Sequence, residues 1–78
     1  MERTLSDILR TPYTFIAIAD HDDGGWVIVY PDLPGCVTQA DTYEEAARMA
    51  KDTFESWVTY RFEQGPPIPE PRFDADPS

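Results

Sequence analysis

The apolar positions of this chain keep two different rhythms. Before residue 41 they come in short blocks, residues 13–19, 26–30 and 36–40, rich in β-branched and aromatic side chains. Turn-forming residues separate the blocks, which predicts three strands. His21-Asp22-Asp23-Gly24-Gly25 is the first turn, and Asp23-Gly24 is a hairpin signal because both residues tolerate positive φ. Pro31-Asp32-Leu33-Pro34-Gly35 is the second. After residue 41 the rhythm changes. Tyr43, Ala46, Ala47, Ala50, Phe54, Trp57, Val58 and Arg61 recur at steps of three and four, the period of one helix face. Thr42 and Glu45 fit a reciprocal N-terminal capping box, and Gly65-Pro66-Pro67 stops the helix, giving residues 42–64. Glu44, Arg48, Asp52 and Glu55 take the opposite face, where Glu44 and Arg48 form a favourable i,i+4 pair. A short helix is predicted over residues 4–10, capped by Thr4 and ended by Pro12, with Leu5, Ile8 and Leu9 on its apolar side. Residues 66–78 hold five of the eight prolines and read as an extended tail that adds at most one edge strand.

The expected fold is therefore α+β in a single domain. A three-stranded antiparallel meander (residues 13–40) packs on one long helix, with a short helix before it and a proline-rich tail behind. The strands carry a second message. Tyr13, Phe15, Ala17 and Ala19 point one way and Ile16 and Ile18 the other; Trp26, Ile28 and Tyr30 likewise oppose Val27 and Val29. Both faces of the sheet are apolar, and a single helix covers only one. The other needs the short helix, a second protomer or a partner protein. A homo-oligomer, most simply a dimer, is expected, with the Trp26, Ile28 and Tyr30 face as the candidate contact surface.

Composition narrows the partners. The 78 residues include 15 acidic and 6 basic ones, for a formal net charge of −9. Phosphate backbones are bound by clustered Lys and Arg, and there is no such cluster, so neither nucleic acid nor an anionic membrane surface is an expected partner. A basic protein is the natural complement. The 41% hydrophobic share supports a core. A chain this short buries only about 60% of its unfolded surface, which again favours association. One cysteine excludes an internal disulfide, no apolar run is long enough to span a bilayer, and the charged N-terminus lacks the apolar centre of a signal peptide. A soluble, cytoplasmic protein is expected.

Candidate chemistry is sparse. His21 stands in a polar turn, and Ser6, Ser56 and Ser78 occupy no strand-to-helix elbow, so no catalytic triad and no catalytic residue is assigned. Asp20-His21-Asp22-Asp23 holds ligand-type residues, but a run of consecutive turn residues with no second donor group downstream reads as a solvated loop, and no metal or cofactor is expected. Glu44 and Glu45 belong to the helix start, and Cys36, without a neighbouring base or cation, reads as a buried inert thiol. Tyr43, Phe54 and Trp57 read as core.

The run Tyr30-Pro31-Asp32-Leu33-Pro34-Gly35-Cys36-Val37-Thr38, followed by Asp41-Thr42-Tyr43-Glu44-Glu45-Ala46, resembles the HicB family, the antitoxins of HicAB toxin–antitoxin systems. Gly65-Pro66-Pro67-Ile68-Pro69-Glu70-Pro71 is similar to the stretch after that family's helix, so the resemblance covers nearly the whole chain. It implies a partial ribonuclease-H-like β-β-β-α fold without ribonuclease chemistry, and a role in binding and masking HicA, a small basic mRNA interferase. Many members carry a DNA-binding module after the helix; the stretch beyond Gly65 is too short for one, and the isolated chain is expected not to bind DNA. Acidic residues outside the core are the candidates for steering a basic toxin: Asp20, Asp22 and Asp23 at the hairpin tip, and Asp32 in the next turn. The alternatives are a stand-alone oligomeric accessory protein with no toxin partner and, weaker, a metal-dependent hydrolase.

Overall fold

The computed structural model describes residues 3–72. Its element order is α1 (Leu5–Leu9), β1 (Ile16–Ala19), β2 (Trp26–Val29), β3 (Val37–Ala40) and α2 (Tyr43–Gln64), the α+β meander expected. The sheet runs β1-β2-β3, antiparallel throughout, with Ile18 opposite Val27 and Ile28 opposite Thr38. β1 is shorter than the apolar run that predicted it. Continuing its register would set Phe15, Thr14 and Tyr13 against residues 30–32. There the next hydrogen-bonded rung would fall on Pro31, which has no N–H to offer. The proline-rich tail adds no strand as far as Arg72.

α2 lies over β2 and β3, and α1 packs against it. Ala46, Ala50, Phe54 and Val58 form its buried stripe at steps of four. They meet Ile28, Tyr30, Leu33, Cys36 and Ala40 in one core, to which α1 contributes Ile8. Tyr43, expected in that core, is 72% exposed; at the first turn of α2 it reaches only the edge of Trp26. Arg61 also departs from the apolar stripe, laying its guanidinium over the Trp57 ring at 5.1 Å. Tyr30 ties sheet to helix through its hydroxyl, which donates to Ala50 O at 3.0 Å, and through its ring, stacked on Phe54 at 5.4 Å.

The helix starts follow the capping residues, with one difference. Thr42 accepts from the Glu45 N–H, but the Glu45 carboxylate lies 3.9 Å from Arg48, an i,i+3 pair in place of the expected Glu44–Arg48 pair. The reciprocal box forms at α1: Thr4 and Asp7 each accept from the other's N–H at 3.1 Å. Those bonds hold the Asp7 carboxyl below the usual carboxylate range.

Candidate functional site

Two turns and one sheet face hold the residues singled out from the sequence. Between β1 and β2 the chain makes a six-residue loop instead of a two-residue turn. Asp20 donates its N–H to Gly25 O and accepts from Gly24 N, each at 2.8 Å. The Asp20 carboxylate folds inward and accepts from the Asp22 and Asp23 N–H groups at 3.0 and 3.2 Å. Asp20 therefore builds the loop, while Asp22 and Asp23 are exposed on it. Asp23 keeps a negative φ; only Gly24 takes the left-handed position that the dipeptide suggested. His21 is exposed beside them.

The second turn is two β-turns in series. Leu33 N–H bonds to Tyr30 O, and Cys36 N–H bonds to Leu33 O, with Pro34 and then Gly35 at φ +82° in the middle of the second. This is the proline-then-glycine order that a type II turn demands. It drives Leu33 and Cys36 into the core, at 1% and 0% exposure. Burial pushes the Cys36 thiol up to about 11 and, with Cys36 nearby, the Tyr30 hydroxyl up to about 12. Asp32 reaches the tail and accepts the Arg72 N–H at 2.9 Å. The tail is held elsewhere too: Arg3 donates to Ile68 O at 2.7 Å and pairs with Glu70 at 3.4 Å, while the Tyr13 hydroxyl donates to Pro69 O. The four aspartates are thus not one site. Asp20, Asp22 and Asp23 lie beyond the Trp26 end of β2, and Asp32 lies beyond its Val29 end.

The sheet faces are assigned the other way round from expectation. Ile28 and Tyr30 are buried under α2 and Trp26 is half-buried, so that face is taken. The open face carries Ile16 and Ile18 from β1, Val27 and Val29 from β2, and Val37 from β3. Ile16, Ile18 and Val37 are 37%, 52% and 50% exposed. Since both faces of β2 are apolar, its pattern alone did not say which one the helix takes. The signal lay at β3, where the small Cys36 just before it and Ala40 at its end share the core with the small Ala46 and Ala50 of α2, while Gln39 is exposed. On the helix side a cleft of about 210 Å³ opens between the β1 approach and α2, lined by Pro12, Tyr13, Phe15, Tyr30, Lys51 and Phe54. Among the described residues no three His, Cys, Asp or Glu side chains come together as a metal site, and no helix is long and apolar enough to cross a membrane.

Most of the chain is similar in sequence to known proteins. The family model described as a HicB-like antitoxin of bacterial toxin–antitoxin systems matches residues 13–75. The chain belongs to the HicB-like antitoxin family. Two proteins of Photorhabdus laumondii subsp. laumondii, each named an antitoxin HicB, are 37% identical over 67 residues and 36% over 63, covering 86% and 81% of this HicB-like chain. A UPF0150 protein of Helicobacter pylori is 38% identical over 42 residues, 54% of this chain and 58% of its own. This chain spans 45% and 39% of the two Photorhabdus antitoxins, less than half their length. No solved structure matches it.

Proposed function

We propose that this HicB-like chain acts in the cytoplasm as an antitoxin that binds and masks a small basic mRNA interferase of the HicA type, and does no chemistry of its own. The family match over residues 13–75 carries the reading. Three physical features support it. The net charge of −9 attracts a basic partner at long range. The open face of Ile16, Ile18, Val27, Val29 and Val37 offers apolar surface for a protein contact. The Cys36 thiol is fully buried and raised to about 11, so it suits packing better than nucleophilic attack. The test is to look beside its gene for one encoding a small basic HicA-like protein, and to co-express the two. Growth arrest by that protein alone, relieved by this chain, with the two proteins co-purifying, is the expected result. Arrest that persists, with the basic protein recovered free, overturns the reading in favour of a binding protein with no toxin partner.

A further inference from the structure

β1 lies at the rim of the sheet, and all four of its residues are exposed. Its pairing with β2 fixes which backbone groups point outward. Asp20 gives its N–H to Gly25 across that ladder. N–H and C=O directions alternate along a strand, so Ile18 and Ile16 also turn theirs toward β2, and Ala17 and Ala19 turn theirs to the outer edge. Soluble proteins blunt such edges with a charge, a proline or a bulge. The run Phe15-Ile16-Ala17-Ile18-Ala19 has neither charge nor proline. Because α2 lies over β2 and β3, no described residue covers Ala17 and Ala19 on the helix side, and both are exposed.

We propose that this edge pairs antiparallel with β1 of a second copy, about a two-fold axis at Ala17, joining two three-stranded sheets into one continuous sheet. The strand is complementary to itself in this register. Ala17 meets Ala17 of the second copy, and Phe15 meets Ala19, each pair exchanging both backbone hydrogen bonds through the outward-facing groups. On the open face Ile16 lies across from Ile18, so the two apolar faces merge. On the helix side Phe15, 40% exposed, crosses the small side chain of Ala19.

Light scattering on the full chain without any toxin reads this pairing independently of the antitoxin reading. A dimer mass is expected at tens of micromolar. Ala17→Pro removes an outward N–H and leaves the β1–β2 ladder intact, a place where edge strands accept proline. By symmetry it deletes two hydrogen bonds, so the dissociation constant should rise about tenfold or more. Ala17→Cys supplies a second measurement that does not depend on the proline variant folding. The paired Cα atoms would stand about 5.5 Å apart, within disulfide reach, so mild oxidation should give a covalent dimer. Ala19→Cys, facing Phe15, should give none, and Cys36 is buried. A monomer mass for the unmodified chain, an unchanged dimer in folded Ala17→Pro, or equal cross-linking at positions 17 and 19 overturns the proposal.

Discussion

Gly35 has open space around the position of a Cβ, so a side chain there costs backbone strain alone: its φ of +82° lies where L-residues are disfavoured. Gly35→Val should lower stability by about 2–3 kcal/mol, because a β-branched residue fits that region worst, while Gly35→Asn should lose less. At about 4–8 °C per kcal/mol for a domain of this size, thermal melts separate the two, and a Gly35→Val variant melting at the parent temperature contradicts the turn assignment. Gly25 is constrained for the opposite reason. A Cβ there would stand 2.7 Å from Ala40 O, a backbone atom at the end of β3 that has no flexible side chain to move aside. Gly25→Ala should therefore cost about 1–3 kcal/mol as an overpacking clash, and hydrogen exchange should show the loss centred on the Trp26–Ala40 end of the sheet. The dipeptide Gly24-Gly25 predicts a turn from sequence, but nothing local announces that its second glycine is kept by a contact fifteen residues away.

At the scale of elements, Tyr30 and Cys36 couple β2, the double turn and α2, and their ionisation gives that coupling a pH dependence. Both groups are raised in the fold, Cys36 from 9.0 to about 11 and Tyr30 from 10.0 to about 12. A raised acid holds its proton longer folded than unfolded, so its contribution is complete below the unfolded value and is lost as pH climbs toward the folded one. Urea unfolding should thus show no loss from these two groups up to about pH 9 and a falling stability between about pH 9 and 12. Tyr30→Phe should cost about 1 kcal/mol at neutral pH by deleting the bond to Ala50, and should remove the upper part of the alkaline fall. An alkaline profile identical in Tyr30→Phe would mean that the hydroxyl is not buried as described. The long helix and the three strands were legible because their periods, caps and turn residues agree at every level. What was not legible depended on distant partners. The start of β1 is set by Pro31 across from it, the tail is fastened by Arg3, Tyr13 and Asp32 from distant parts of the chain, and the capping carboxylate of α2 is drawn to Arg48.

For the whole molecule, the charge was plain in the sequence and its arrangement was not. Asp32 is a structural acceptor for the tail and Asp20 a structural acceptor for its own loop, so of the four aspartates only Asp22 and Asp23 are exposed carboxylates at the tip of the molecule. Asn can keep the side-chain oxygen at position 20 that the Asp22 and Asp23 N–H groups need, so Asp20, Asp22 and Asp23 can all be changed to Asn without dismantling the loop. Rim charges act mainly on association rate, whereas desolvated pairs act on dissociation. The triple variant should therefore associate with a basic toxin more slowly than the parent while dissociating at nearly the same rate. The difference should shrink as salt rises, because screening shortens the reach of the field to about 8 Å at physiological ionic strength. Stopped-flow association at low and high salt checks this, with the mass of the variant measured alongside so that any change in self-association is seen separately. Equal association rates at low salt in a folded variant would show that the tip does not guide the encounter. The steering would then come from the diffuse charge of the chain, and the contact would be left to the open face of Ile16, Ile18, Val27, Val29 and Val37, where substitution of Val29 by Lys should raise the dissociation rate instead.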